Sequence, residues 1–360
     1  MKEVLFIAPG NKNSKGGIGL CVNNYSKYID PFKLIVTHRF HSKVLNTIWF
    51  PVCVFELILR LLTDSEIKII HIHGASKGSF YRKYILFSVV HKLFKKKLIY
   101  HIHGGGFRDF YLESSFFIQK RVRYVIQSAD VVICLSEKWK HFFSSAFHPK
   151  RLVILNNMII PPEKPNEIVL NGKLQFLFLG LIGDNKGIFD LLKTISKNRD
   201  VLEDKMILKI AGNGETGRLE KAILNWNLED IVQFEGWVDS EKKDQLLRSS
   251  HIFILTSYKE GLPLSILEAM SYSLPIISSH AGGIPDLIHK YRNGILVDAG
   301  NQEEIKSAIL KLTDNQNLIQ IYSERSAKGV VDFYPDSVLK TLFSIYHELQ
   351  RIQGLLVKQN

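Results

Sequence analysis

The sequence predicts an α/β protein built from two Rossmann-like domains, and three observations carry that expectation. Short apolar runs of strand length alternate with helical stretches along the whole chain. The runs fall into two groups of about six, the pattern of repeated βαβ units and hence of parallel sheets. Between the groups stands Pro161-Pro162-Glu163-Lys164-Pro165-Asn166, the densest Pro segment in the chain and a polar one. At 360 residues the chain is too long for one ordinary core.

In the first half, strands are expected at Val4–Ala8, Leu34–Thr37, Lys68–His71, Lys97–His101, Val131–Leu135 and Leu152–Leu155. The N-terminal apolar run breaks at Pro9-Gly10, which makes it a first strand rather than a signal peptide. The run Val44–Leu62 is long and apolar, but Pro51 interrupts it, and Glu56 and Arg60 stand four apart inside it. It is expected to be an amphipathic helix, packed or interfacial. A further helix is expected from about Tyr84, with Ile85, Leu86, Val89, Val90 and Leu93 on its apolar side and Lys92, Lys95, Lys96 and Lys97 at its end. In the second half, strands are expected at Leu174–Leu179, Met206–Ile210, Val232–Glu235, Ile252–Leu255, Pro275–Ser278 and Ile295–Val297. Val338, Leu342, Ile345 and Leu349 recur at helical spacing within Asp336–Gln353. The expected division is therefore a first domain over 1–160, a second over 167–335, and a closing helix within 336–360.

A hydrophobic content of 46% with 23% charged residues describes a soluble globular chain. Cys21, Cys53 and Cys134 show no metal-binding spacing and read as reduced cytosolic thiols. Charge is uneven. Residues 1–157 hold 24 Lys+Arg against 9 Asp+Glu, a net of +15, and the remainder brings the total to +12. The first half is thus expected to meet something anionic, a membrane surface among the choices. No nucleic-acid motif accompanies the charge, so nucleic acid is not expected as a partner.

The most specific stretch is Glu260-Gly-Leu-Pro-Leu-Ser-Ile-Leu-Glu268. It follows a strand and enters a helix, with Pro263 suited to the first turn. Glu260 then stands on a loop at a strand's C-terminal end, and Glu268 one to two turns into the helix. The helix start between them offers unpaired N–H groups that suit a phosphate. The residues themselves leave a bland reading open: a favourable first-turn charge and a solvated surface Glu.

Other stretches join it. Lys15-Gly16-Gly17-Ile18-Gly19 follows the first strand and precedes a helix near Leu20, without the dinucleotide fingerprint. Tyr100-His101-Ile102-His103-Gly104 ends a strand, and His71-Ile72-His73-Gly74 repeats the pattern one unit earlier. The H-x-H spacing is possible for zinc, but no Cys or carboxylate stands beside it, so no metal is expected. Gly180-Leu181-Ile182-Gly183-Asp184-Asn185-Lys186-Gly187 and Ala211-Gly-Asn-Gly-Glu215 each follow a strand. Lys186 alone could be a solvated surface Lys, and Trp237 either packs or stacks on a base.

Taken with Gly282-Gly283-Ile284-Pro285-Asp286 and Asn293-Gly294-Ile295, the Glu260–Glu268 stretch resembles the E-x7-E signature of retaining GT-B glycosyltransferases of family four, the glycosyl transferases group 1. The resemblance implies the GT-B fold: two Rossmann-like domains facing a central cleft, an acceptor domain first and a donor domain second, with the C-terminal helix crossing back to the first. It implies His103, Lys186 and Glu260 as catalytic residues. It implies donor contacts from Gly16, Gly17, Gly180, Asn213, Gly214, Gly261, Leu262, Leu264, Ser265 and Glu268. The family's Arg position is held by Leu181, which donates nothing; Lys15 or Arg108 are the basic residues that could substitute. The implied activity is retaining transfer of a hexose-type sugar from a nucleotide diphosphate sugar, a UDP-sugar by expectation, without metal or other cofactor. The implied acceptor is a polysaccharide or lipid-linked glycan of capsule or exopolysaccharide type, met in the cytoplasm or at the inner face of the cell membrane. Two alternatives stand beside it: a catalytically weak GT-B protein that only binds nucleotide sugar, and a nucleotide-sugar epimerase.

Overall fold

The computed structural model describes residues 1–10, 16–40, 42–164, 166, 170 and 172–357. Lys15 and Pro165, singled out above, lie outside the described residues. The chain runs β1 (Val4–Ala8), α1 (Gly17–Ser26), β2 (Lys33–Val36), α2 (Lys43–Thr63), β3 (Ile69–Gly74), α3 (Gly78–Leu93), β4 (Lys97–Ile102), α4 (Phe107–Glu113), α5 (Phe116–Ser128), β5 (Val131–Cys134), α6 (Glu137–Phe147) and β6 (Leu152–Ile154). It continues with β7 (Leu174–Leu179), a 3-10 turn (Asp184–Lys186), α7 (Ile188–Lys197), α8 (Arg199–Leu202), β8 (Met206–Ala211), α9 (Thr216–Asn225), β9 (Val232–Phe234), α10 (Ser240–Arg248), β10 (Ile252–Leu255) and α11 (Leu264–Ser271). The last elements are β11 (Ile276–Ser279), α12 (Ile284–Tyr291), β12 (Gly294–Val297), α13 (Gln302–Thr313), α14 (Gln316–Gly329), a 3-10 turn (Val330–Phe333) and α15 (Pro335–Val357).

The chain divides into two compact units, Met1–Ile160 with Phe333–Asn360, and Pro161–Asp332. In the first, six parallel strands lie in the order β2-β1-β3-β4-β5-β6. Both faces of such a sheet are covered, so its strands are apolar throughout and alternation decides only which side a residue serves. Leu5, Ile7, Ile70, Ile72, Leu98 and Tyr100 point to the side of α2 through α6. Val4, Phe6, Ile69 and Ile99 point to the other, where Tyr25 of α1 and Val338, Leu342, Ile345 and Tyr346 of α15 close the core. His71, His73 and His101 alternate onto this second side.

The helix expected from Tyr84 starts instead at Gly78, because Phe80 is fully buried one turn earlier than the apolar spacing suggested. Of its expected apolar side, Leu86 and Val90 are buried, whereas Ile85 and Leu93 face solvent. Nor is the Lys quartet a uniform solvated end. Lys97 begins β4 and pairs with Asp130 at 3.1 Å, and the Lys96 ammonium donates to the Ile67 carbonyl at 2.6 Å.

In the second unit the order is β12-β11-β10-β7-β8-β9, again all parallel. This is a doubly wound sheet, and the chain reverses its direction of growth between β7 and β10. Open α/β sheets bind ligands in the crevice beyond the strand C-termini at that reversal. Helix α7 buries Leu191, Leu192 and Ile195, and α11 buries Ile266, Leu267 and Met270. Pro263 is the N-cap of α11 rather than part of its first turn.

Leu342 is fully buried in the core that α15 closes. Leu342→Ala should cost about 2–5 kcal/mol of stability, the range for opening a core cavity, read as a lowered urea midpoint at unchanged slope. A loss below about 0.5 kcal/mol would show that α15 does not carry that core.

Candidate active site

Two loops leave the sheet of the second unit at its reversal point. After β7 the chain passes Gly180 and Leu181 and tightens into the 3-10 turn that ends at Lys186. After β10 it passes Thr256, Ser257 and Tyr258 to Glu260. These loops are joined through backbone. Tyr258 N–H donates to the Asn185 carbonyl at 2.9 Å. Gly187 has φ +69, and a Cβ there would stand 2.1 Å from the Thr256 carbonyl oxygen. A third loop, after β11, locks onto the second. Gly283 N–H donates to the Gly261 carbonyl at 2.7 Å. Gly282 has φ +55, and a Cβ there would lie 1.9 Å from the Glu260 carbonyl oxygen. Only glycine tolerates both that φ and that approach.

The result is that Lys186 Nζ meets Glu260 Oε1 at 2.5 Å. Ser257 Oγ donates to the same oxygen at 2.7 Å. The Glu260 side chain is buried and Lys186 is half-buried, so the pair is partly shielded from water. Glu268, the fifth residue of α11, is half-buried and pairs with Lys243 of α10 at 2.5 Å. The two carboxylates of the signature are therefore held by separate cations. Between them, the N-cap Pro263 places no side-chain hydrogen bond on the N-terminus of α11. Gly261, Leu262 and Leu264 are buried there and Ser265 is half-buried.

The loop after β8 packs against the loop after β7. Its glycines admit a close backbone approach from that loop. Ile182 N–H donates to the Asn213 carbonyl at 2.7 Å, and Glu215 N–H donates to the Ile182 carbonyl at 3.0 Å. A Cβ on Gly214 would stand 2.4 Å from that carbonyl oxygen. Asn213 and Gly180 are half-buried and Gly214 is exposed at this seam. Leu181, at the position where a cation was sought, is 55% exposed. The described basic group bound into this seam is Arg218, which pairs with Asp184 at 2.9 Å and Glu215 at 2.8 Å. Trp237 is exposed, which removes the packing role. A cavity of about 360 Å³ between β12 and α13 contains none of these residues.

The first unit contributes Gly16 and Gly17, exposed at the start of α1, and the histidines at the ends of β3 and β4. The four rings pack two by two, with His71–His73 centroids 4.5 Å apart and His101–His103 4.0 Å apart along the strands, and His71–His101 5.4 Å and His73–His103 5.0 Å apart across them. Tyr346 OH bonds His71 Nδ1 at 2.7 Å, and His73 Nδ1 bonds His103 Nε2 at 2.8 Å. His103 Nδ1 lies 3.3 Å from Asn157 Oδ1. An amide oxygen only accepts, so Nδ1 of His103 carries its proton and Nε2 accepts from His73. His71, His73 and His101 each bring one nitrogen within 4.8 Å of the others, a ligand set that a transition metal accepts. Burial pushes His71 down to about 3 and His103 to about 4, and holds His73 and His101 well below the imidazole norm. All four rings are neutral at pH 7. Arg108 is exposed on α4 of this unit.

With this geometry in place, residues 162–329 match the family described as glycosyl transferases group 1. That segment, slightly under half of the chain, is similar to the glycosyl transferases group 1 family. An uncharacterized glycosyltransferase of Methanocaldococcus jannaschii is 32% identical over 247 residues, 64% of this chain and 63% of its own length. The amylovoran biosynthesis glycosyltransferase AmsK of Erwinia amylovora is 25% identical over 234 residues, 61% of this chain and 56% of its own. The chain thus spans about 60% of these two relatives. Among solved structures, Anabaena HepE in complex with UDP and glucose superposes with a TM-score of 0.73 over 97% of this chain and 99% of HepE, at 16% identity. That likeness is one of fold, and the fold is GT-B.

Sequence reasoning missed Ser257, Lys243, Asn157 and Arg218. Ser257 stands three residues before Glu260 on the same loop and could have been found by its hydroxyl. Lys243 and Asn157 meet Glu268 and His103 only through the fold, 25 and 54 residues away.

Two outcomes follow. His71, His73 and His101 are fully buried and neutral, so below pH ~6.5 only the unfolded chain takes up their protons, and stability falls with pH. Each ring contributes up to about 1.4 kcal/mol per pH unit between its unfolded value and its depressed folded value. Melting temperature should therefore hold above pH 7 and drop steeply toward pH 4, less steeply in His101→Gln; a flat profile from pH 7.5 to 5 contradicts it. Separately, Gly282→Ala should displace the Glu260 loop and lower the melting temperature by several degrees. Gly172→Ala, at φ +65 with open space around it, should stay nearer the wild type. Equal melting temperatures in both would show that the approach at Gly282 does not set the loop.

Proposed function

We propose that this chain is a retaining glycosyltransferase that moves a hexose-type sugar from a UDP-sugar to a polysaccharide or lipid-linked acceptor in the cytoplasm, as a step of capsule or exopolysaccharide assembly. The observation that carries the reading is the Lys186–Glu260–Ser257 cluster at the reversal point of the second sheet, beside an uncapped helix start. A cation and free N–H groups suit a diphosphate leaving group, because they oppose charge where it develops. AmsK, named for amylovoran biosynthesis, supports a polysaccharide product. HepE, solved with UDP and glucose, supports the donor.

In this reading Glu260 accepts hydrogen bonds from the donor sugar and Glu268 from the ribose. Lys186 leaves Glu260 for the diphosphate when the donor enters. Gly261, Leu262, Leu264 and Ser265 present backbone to phosphate and sugar, with Gly180, Asn213 and Gly214 at the nucleotide side and Gly16 and Gly17 toward the phosphates. His103 meets the sugar by exchanging one of its two bonds, the one from His73 at Nε2 or the one to Asn157 at Nδ1. The acceptor oxygen bonds to the anomeric carbon on the face the phosphate leaves. The anomeric C–O bond to phosphate breaks, and the acceptor proton passes to the departing phosphate oxygen. Lys186 and the α11 start supply the charge without a metal. A second reading, binding without turnover, is favoured by one observation, the exposed Leu181 where the family pattern has Arg.

Purified protein should be stabilised by UDP and by one UDP-sugar, with EDTA making no difference. With an acceptor extract, Lys186→Ala and Glu260→Gln should each lower turnover by about 10² or more. Nearly unchanged rates in both variants would sink the site assignment. Binding with no transfer, regained in Leu181→Arg, would establish the second reading.

A further inference from the structure

Helix α2 carries two apolar faces. Cys53, Leu57 and Leu61 are buried in the core beneath it. Val44, Leu45, Ile48, Val52, Phe55, Leu59 and Leu62 are all exposed, Ile48, Phe55 and Leu62 at 67%, 66% and 71%. At about 100° per residue these exposed positions fall within a stripe roughly 100° wide, opposite the buried face. From Val44 to Leu62 the stripe runs about 27 Å. Tyr81 and Ile85 are also exposed on α3, which packs beside α2. Contiguous exposed apolar surface of this extent marks an interaction site.

The helix is long and apolar enough to cross a bilayer by composition alone, with a mean hydropathy of 1.7. Its inner face is already committed to the core, so crossing would require the first unit to come apart. Lying flat requires nothing of the kind. Charge selects the surface. Residues 38–128, which include α2 through α5, hold 15 Lys+Arg against 5 Asp+Glu. Arg39, Lys77, Lys92, Lys95, Lys120 and Arg121 are exposed among them. A second copy docked on the same stripe through a two-fold axis would set two such positive surfaces against each other. An anionic lipid surface offers both the opposite charge and an apolar layer beneath it.

We propose that the outer face of α2 binds an anionic lipid bilayer, with the apolar stripe at the depth of the headgroup–acyl boundary and the surrounding Lys and Arg among the headgroups. This deepens the transferase reading by setting the first unit at the surface where a lipid-linked acceptor resides. Its test reads binding alone, so its failure leaves turnover on soluble acceptor untouched.

The experiment is vesicle flotation of the full chain with phosphatidylcholine alone and with an equal mixture of phosphatidylcholine and phosphatidylglycerol. The protein should float with the mixed vesicles at least tenfold more than with the neutral ones, and 0.5 M NaCl should reduce the difference. Ile48→Glu combined with Phe55→Glu should lower flotation at least tenfold while melting temperature and UDP response are kept. Lys92→Glu with Lys95→Glu, which leaves the stripe intact, should weaken binding to the anionic vesicles only. The proposal is overturned if the wild type floats with neither vesicle, or if Ile48→Glu/Phe55→Glu floats like the wild type. It is equally overturned if light scattering shows a dimer that this double variant dissociates, since the stripe then belongs to a second copy.

Discussion

The carbonyl oxygen of Glu260 occupies the place that a side chain at position 282 would need, and the Thr256 carbonyl does the same to position 187. These two backbone contacts fasten the loops after β7, β10 and β11 to one another. Each loop alone is short and polar, with little apolar area to hold it. Fastened together, they set the Lys186 stem and the Glu260 carboxylate at hydrogen-bond distance, with Ser257 completing the carboxylate's coordination. A site on loops gains the precision of its scaffold only when such contacts remove the loops' own freedom.

Charge at this edge is balanced locally, and the balance is informative. Glu260 has Lys186, Glu268 has Lys243, and Asp184 with Glu215 has Arg218. A half-buried pair of this kind satisfies both partners without a ligand, so under the proposed transferase reading an entering diphosphate must offer Lys186 at least as much as Glu260 does, while sugar hydroxyls compensate Glu260. The exchange favours a molecule that carries both an anion and a polyol, and disfavours either alone. In the first unit the arrangement is the reverse: a two-by-two cluster of neutral imidazoles, desolvated and hydrogen-bonded in pairs across the strands.

The strands were legible throughout. Both faces of each sheet are covered, so the strands are rich in Val, Ile, Leu and Phe, and the ends moved by at most three residues. The loop glycines at 187 and 282 and the carboxylates at 260 and 268 were legible because their spacing is local. The start of α3 was not, because Phe80 buries alone on a polar turn. Nor were the partners Lys243, Asn157 and Tyr346, which reach Glu268, His103 and His71 across 25, 54 and 275 residues. Composition suggested that Val44–Leu62 is amphipathic, but not that both of its faces are apolar, since a moment measures only the difference between two sides. The glycines at 212 and 214 meet the Gly180 and Ile182 carbonyls, an approach that no local spacing discloses. Sequence shows that a backbone can be approached, and not whether a ligand or another loop does so.

The division of the chain has a consequence for how it comes to be folded. The second unit is a continuous segment, Pro161–Asp332, whereas the first is completed by Phe333–Asn360. On a ribosome the residues of α15 emerge after all the others described. Until they do, His71, Phe6 and Tyr25 lack the helix that covers them, and the apolar side of a six-stranded parallel sheet stays open while some 170 residues of the other unit are made. At about 5–20 residues per second that interval lasts on the order of ten seconds or more. The nascent first unit is then an unfinished sheet awaiting its last helix, and the period of greatest risk for this molecule lies in its own synthesis.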